Sequence, residues 1–517
     1  MSEINATRPN ITTNESESKV STTGLPDDAN NVSENSVEDL EKQEDALYSI
    51  FDTREIYVLG IFIAMACFWS VTSSSFFYPA IPNITEEFNI SVGLANLVIV
   101  IYLIFQSTSP LFISALADTY GRRPITLGLL FSFTCVSIGT SQVRVFWALA
   151  VLRSFQAISI ASIISTSFGI VGDLAPRSKR GGFAGFVNGF TLIGQAFGGL
   201  LGGLLVSRWN WPGIFVFCAI GGGLTLILNF IFLPETNRTL VGNQSVTPKH
   251  FYQWCPLLLH NRFKNRLNND TSTIMPRTKK SNVFNTLKIF FNKVVFFTIL
   301  PAGLQFACWT VSQVALSTIL QDSYGFDDIQ SGLSYLPAGI GSILASIIGG
   351  RVLNWNYKRR KSAWNESPEP REPFNIHKVR SEFMSRLILV NIASILVFGW
   401  CIDYKVNLAP IFIASFIHSF IAVCMLSISQ TLLIDLYPSQ ASAASSCLNL
   451  MRGLLSAIFV AAQESMMKSM TVGGTFTFLS GVIFLSLVSF KVVAYYDRKK
   501  QVREHSSEEL PDENMNK

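Results

Sequence analysis

The chain has 517 residues, of which 49% are hydrophobic, 12% aromatic and only 15% charged. This is too apolar for a soluble domain, and the formal charge of +5 is too small and too unevenly placed to predict a nucleic-acid partner. Enzymatic function is not expected: no G-x-x-x-x-G-K-[ST] phosphate loop, metal-ligand cluster or nucleophile, base and acid set can be picked out.

In chain order, residues 1–55 carry no apolar run and are rich in Ser, Thr, Asn, Glu and Asp, which predicts a disordered tail. No signal-peptide pattern precedes the first apolar run, so that run itself is expected to direct insertion. A hydrocarbon core about 30 Å thick needs roughly 20 apolar residues per helical crossing. Such runs lie at 56–80, 93–116, 125–141, 145–171, 183–206 and 212–233, then at 294–320, 328–353, 385–403, 408–434, 441–466 and 474–495. The predicted fold class is therefore an all-α integral membrane protein with twelve transmembrane spans, here numbered 1–12. The expected domains are a six-helix bundle at 56–233, a central loop at 234–293, a second six-helix bundle at 294–496 and a tail at 497–517.

Lys and Arg set the orientation. Arg122 and Arg123, Arg177, Lys179 and Arg180, the segment from Arg238 to Lys293, Lys358 to Lys361 and Arg498 to Lys500 all fall in one set of loops. The positive-inside rule places these loops and both termini in the cytoplasm. Seven of the eight cysteines lie inside apolar runs and no C-x-x-C pair occurs, so packing is expected of them rather than disulfides or a metal site.

Between spans 2 and 3 the chain reads ADTYGRRP, residues 117–124. Asp118 ends a helix whose dipole disfavours a carboxylate unless a cation answers it, and Arg122 is close enough to do so. Gly121 permits a tight turn, and Asp173 repeats the problem at the end of span 4. Asp118, Gly121, Arg122, Arg123 and Asp173 are thus expected to form a charge cluster that gates helix movement, or else a set of topological anchors.

The same stretch, SALADTYGRRP, resembles motif A of the major facilitator superfamily, with Ser114 where that family usually has glycine. Residues 149–161, LAVLRSFQAISIA, resemble its span 4 motif built on an arginine, here Arg153. GFTLIGQAFGG, residues 189–199, resembles the span 5 motif of proton-coupled antiporters, with Gly194, Gly198 and Gly199 present and Gln195 in place of proline. YPAIPNITEEFNIS, FLPETNRTLVGNQSVTPK and LLIDLYPSQASAASSCLNLMRG are similar to the fungal twelve-span drug:proton antiporters, in the quinidine-resistance and dityrosine transporter branch. This resemblance implies two bundles rocking about a midplane site, with the charged turns as latches of the outward-open state. It also implies small organic substrates and protons as partners, within a lipid bilayer. A monomer without cofactor is expected, in the plasma membrane or in the prospore membrane.

Ionisable groups inside a bilayer are costly and usually functional. Arg153, with Gln156 one turn on, is the first candidate for proton coupling. Arg452 and His418 are the others. Ser445, Asn449, Arg452 and Ser456 form one stripe along span 11, either lining a cavity or binding helices together. Tyr78, Gln106, Gln305, Trp309, Gln313, Tyr335 and Asn449 are the expected substrate-cavity residues, because aromatic rings mixed with neutral polar groups suit an amphipathic organic ligand. No carboxylate lies in the interior of span 1, and Glu464 is expected near the outer end of span 11.

The leading expectation is a proton-coupled antiporter exporting organic compounds such as drugs, organic cations, polyamines or a spore-wall precursor. Gln195 lacks the kink-forming property of proline, which leaves a facilitator or importer of an organic cation, amino acid or polyamine as the alternative. A non-transporting membrane sensor is a third.

Overall fold

The computed structural model describes residues 48–248, 250–267, 271, 274, 283–366, 379, 382–436 and 441–508. Of the tails expected at 1–55 and 497–517, residues 1–47 and 509–517 lie outside the described residues, as do the side chains of Arg177, Lys179, Arg180, Asp435, Ser445 and Arg498 to Lys500.

All regular structure among the described residues is helical. Among the described residues ten helices are long and apolar enough to cross a membrane, and two of these break in the middle, which gives twelve segments of membrane-spanning length. The first half holds α1 (Thr53–Ser75), α2 (Val92–Tyr120), α3 (Arg122–Ser141) and α4 (Phe146–Leu174), then α5 (177–209) and α6 (211–232). The second holds α7 (Lys293–Tyr324), α8 (Leu336–Asn365), α9 (Met384–Asp403), α10 (Leu408–Leu436), α11 (441–469) and α12 (472–508).

Local chemistry sets the turns. Asn210 takes φ 57° between α5 and α6, and its side chain accepts from the Trp211 amide at 2.7 Å. Ser91 caps α2 by accepting from Leu94 N at 3.2 Å, and Asn292 caps α7 by accepting from Val294 N at 3.0 Å. The outside of the helices is apolar, as a bilayer requires: Phe131, Ile220, Ile413 and Leu485 are all exposed.

Two expectations about the non-spanning segments change. Tyr48–Asp52, placed in the tail by composition, pack on the first bundle: Phe51 is buried, and Tyr48 Oη donates to the Gly172 carbonyl at 2.8 Å. The start of the central loop is likewise packed. Cys255 and Leu258 join Phe51, Ile56, Leu59, Ile170, Leu174 and Phe183 in one apolar cluster under the ends of α1, α4 and α5. Polar composition concealed both contacts because each rests on a few well-placed residues.

Candidate functional site

The charged turn holds together through a segment far along the chain. Arg122 pairs with Asp118 at 2.7 Å and with Asp173 at 3.2 Å, joining the ends of α2 and α4. Gly169 makes the room, since a Cβ there would lie 2.5 Å from Arg122 Cζ. Arg123 does not join the carboxylate cluster. It is buried and donates to the carbonyls of Asn229, at 3.2 Å, Phe230, at 2.8 Å, and Leu233, so it satisfies the end of α6 instead.

Glu235 is the residue that motif reasoning missed. Its carboxylate accepts from the amides of Arg122 (2.8 Å), Arg123 (3.2 Å), Thr236 (3.0 Å) and Asn237 (3.0 Å), and so caps the N-terminus of α3 with a negative charge. Burial pushes the carboxyl above its ordinary pKa, while these four amides pull the other way. Gly121, at φ 114°, is needed here: a Cβ would sit 2.3 Å from Glu235 Oε2. Asn237 Nδ2 donates to the Asp118 carbonyl at 2.9 Å, Gln253 Nε2 to the Tyr120 carbonyl at 2.8 Å, and Arg238 Nε to the Asp173 carbonyl at 3.1 Å. One signal was available, an acid three residues past α6 in LPETN, but no spacing rule connects it to a turn more than a hundred residues earlier.

The two halves meet tightly away from this turn. On α5, Gly194, Gly198 and Gly202 face Phe68, Thr72, Ser75 and Phe76 of the first span, whereas Gly199 and Gly203 face the second half. A Cβ at Gly199 would lie 2.4 Å from the Tyr335 ring, one at Gly203 2.8 Å from Gly332 Cα, and one at Gly339 2.3 Å from Ala196 Cα. Ser317 Oγ donates to the Tyr78 carbonyl at 2.9 Å, and Asn83 Nδ2 to Asp328 Oδ2 at 3.4 Å. Cβ atoms at Gly185, Gly189 and Gly350, nearer the charged turn, would meet nothing within 4 Å. The glycine contacts that close the halves on each other thus lie at the end away from that turn.

Just inside the closed end, Tyr78, Gln195, Gly199, Trp309, Gln313 and Tyr335 surround a cavity with room for about one water. Tyr78 and Tyr335, one from each half, stack with centroids 6.4 Å apart, and Tyr335 Oη donates to the Gln313 carbonyl at 3.0 Å. Four of the expected cavity residues thus converge. Gln106 and Asn449 are half-buried and lie near the crossing of α2 and α11, where a Cβ at Gly453 would sit 2.3 Å from Ser107 Cβ. Gln305 lies elsewhere, inside the second bundle.

Residues 58–364 match the Major Facilitator Superfamily model. The MFS antiporter QDR2 of Candida albicans is 41% identical over 489 residues, covering 93% of this chain and 97% of that relative. The chain belongs to the major facilitator superfamily. Quinidine resistance protein 1 of Saccharomyces cerevisiae is 38% identical over 462 residues, covering 84% of this chain and 82% of its own. Among solved structures, the D-xylose-proton symporter superposes with a TM-score of 0.62 at 12% identity, covering 84% of this chain and 97% of that one. A bacterial homologue of the human lysosomal transporter Spinster, in an inward-facing and unoccupied conformation, gives 0.57 at 13% identity, with coverage of 88% and 99%.

In this transporter Arg153 and His418 belong to separate groups of interior polar residues. Arg153, only 1% exposed, donates to Gln156 Oε1 at 2.6 Å and to the Ser73 carbonyl at 3.3 Å, and Gln156 Nε2 donates to Ser137 Oγ at 2.9 Å. Three rings enclose its guanidinium, Tyr102 at 4.2 Å, Phe77 at 4.5 Å and Phe215 at 5.8 Å from their centroids. The charge is thus met by π faces and carbonyl dipoles rather than a carboxylate. Arg153→Met removes a costly buried ion but leaves Gln156 Oε1 without its donor, so the unfolding temperature should fall modestly while the protein still folds. The substitution should abolish energised efflux, and fluorescence-detected size exclusion beside a transport assay separates the two effects.

The second group is a chain across α10, α9 and α7. His418 Nδ1 lies 2.7 Å from Asn391 Oδ1, and Asn391 Nδ2 donates to Gln305 Oε1 at 3.0 Å. Asn391 Oδ1 accepts from His418 Nδ1 in the tautomer that carries its proton there. His418→Leu would leave Asn391 Oδ1 buried without its donor, costing about 1–3 kcal/mol. A lowered unfolding temperature in detergent is the expected readout. Glu464, expected at an outer helix end, is only partly exposed; it pairs with Lys468 and its Oε2 lies beside Gly93 at the start of α2 in the opposite half.

Proposed function

We propose that the chain is a proton-coupled antiporter that exports amphipathic organic compounds by alternating access. The observation that carries this reading is the seam: at the end away from the charged turn the halves touch through glycines and the Tyr78 and Tyr335 pair. Such an interface can exchange which end is closed without unfolding either bundle. The relatives named as antiporters and as a quinidine resistance protein support the coupling and the substrate class. The basic loops and both termini are cytoplasmic in this reading, so the cleft opens inward, and the domain boundaries are those of the two bundles and the segment between them. The membrane is the plasma membrane, or the prospore membrane if the substrate is developmental.

The charged turn acts as a hinge brace: Arg122 gathers Asp118 and Asp173, and Glu235 ties the turn to the segment joining the halves. Gln195 lines the small cavity between the halves, and helix α5 continues through Gln195 without a break, which favours the facilitator as second reading. Efflux of preloaded labelled quinidine decides between them. Faster efflux that collapses on adding a protonophore is expected; faster efflux indifferent to the protonophore would replace antiport with facilitated export.

A further inference from the structure

We propose that the last turns of α8 carry a binding site for the polyphosphate headgroup of an anionic membrane lipid, built from Arg351, Trp355, Lys358, Arg359 and Lys361. The helix decides which side chains are available. Leu353, Asn356 and Arg360 stand three and four residues apart on one face, and that face is taken. Leu353 and Asn356 are buried, and Asn356 Nδ2 donates to the Val379 carbonyl and to Glu382 Oε2, each at 3.2 Å. Arg360 closes on the same carboxylate, Nε to Oε2 at 3.1 Å and Nη2 to Oε1. On the opposite face Arg351, Trp355 and Lys358 recur four and three residues apart, flanked by Arg359 and Lys361, and all five are exposed. The Arg359 guanidinium lies over the Trp355 ring at 5.3 Å from its centroid, and the Lys361 ammonium 5.9 Å from that of Tyr357. Among the described residues none of these four cations makes an ion pair.

What points to a lipid is the rest of that face. Followed back along α8 it reads Ile347 and Ile340, both exposed, so one stripe is apolar first and then basic. The span opens at Asp328, and Arg351 and Lys358 lie about 35 and 45 Å further along it. That is beyond a hydrocarbon core of about 30 Å and within a whole bilayer of about 40–45 Å, so the stripe turns basic at headgroup depth. Trp355 is the ring expected at that depth, and the stems of Lys358 and Arg351 can lie on apolar surface while their charges reach outward. The charge calls for more than one negative group in return. Glu382 is engaged by Arg360 and Asn356, and Glu366 stands at the C-cap, about 12 Å beyond Lys358. Guanidinium forks match phosphate oxygens and ammonium groups add point charges, so a headgroup with several phosphates answers four cations where a single carboxylate does not. Only the leaflet rests on the reading that the basic loops are cytoplasmic, the side where anionic lipids concentrate. The site depends on neither substrate nor coupling.

The test is native mass spectrometry of the purified full chain in detergent, titrated with dioleoyl phosphatidylinositol 4,5-bisphosphate or with dioleoyl phosphatidylserine. One bisphosphate lipid should bind per chain, about tenfold or more tightly than phosphatidylserine, since each Lys or Arg adds to the attraction of an anionic surface. Replacing Lys358, Arg359 and Lys361 together by Gln should remove that preference, and Lys358→Gln alone should weaken it severalfold. Lys264→Gln, which changes an exposed cation of the central loop, should leave it intact. The substituted side chains are all exposed, so the variants should fold, which their unfolding temperatures check. Equal affinity for the two lipids in the unaltered protein would overturn the inference, whatever the variants do, by showing only diffuse surface attraction. So would a preference that survives in the folded triple variant. Displacement of the lipid by an equal concentration of water-soluble inositol 1,4,5-trisphosphate would reassign the site to a free polyphosphate. Binding is read without transport, so failure of the antiport reading in the efflux assay would leave this one standing.

Discussion

Glu235→Ala should lower the unfolding temperature of the purified transporter markedly and reduce efflux with it. Four backbone amides, two of them the first of α3, lose their acceptor at once. A hydrogen bond to a charged group is worth about 1.5–3 kcal/mol, and these four share one carboxylate, so the expected loss is about 3 kcal/mol rather than their sum. Glu235→Gln keeps one oxygen and should lose less. Gly121→Ala attacks the same contact from the other side, through a Cβ 2.3 Å from Glu235 Oε2 on a residue with φ 114°, and should resemble Glu235→Ala. Thermal unfolding at one scan rate checks all three; an unfolding temperature unmoved in Glu235→Ala would mean the brace contributes nothing.

Gly339→Val is expected to stop transport while sparing the fold of each half. Its Cβ would fall 2.3 Å from Ala196 Cα and 2.6 Å from the Ala196 carbonyl, and backbone cannot swing aside as a side chain can. The closed end of the seam would then be held apart. Gly185→Val is the matched control, because nothing lies within 4 Å of its Cβ, and it should transport normally. A cysteine placed at Asn83, which touches Asp328 across the seam, should label faster with a membrane-impermeant maleimide in Gly339→Val than in the control. Equal labelling rates together with normal efflux would show that this close approach is dispensable.

The residues of the charged turn were legible because they are local. Asp118 and Arg122 are four apart on one helix end, and their pairing follows from helix geometry and the dipole. Asp173 was added by the same argument applied to α4. Arg123, adjacent and chemically identical to Arg122, was assigned to the same cluster, yet it points to the carbonyls that end α6. Which of two neighbouring arginines meets the acids depends on where other helices end, and a turn does not carry that information. The glycines of α5 show the same division. Their four-residue spacing predicts close packing, but only the fold shows that one row faces the first span, the next faces Asp328, Gly332 and Tyr335 just ahead of α8, and Gly185 and Gly189 face neither.

By itself the amino-acid sequence determined the medium, the number of crossings, the division into two halves and the family, because a bilayer demands long apolar helices and short motifs sit at their ends. Tertiary structure alone decided that Glu235 closes the turn, that Tyr78 and Tyr335 meet across the seam, that His418, Asn391 and Gln305 form one chain, and that three rings enclose Arg153. The physical reason is distance along the chain. Helical periodicity says which residues share a face, while the partner of that face is set by packing between helices hundreds of residues apart, for which burial and hydrogen-bond satisfaction across the whole fold are the only arbiters.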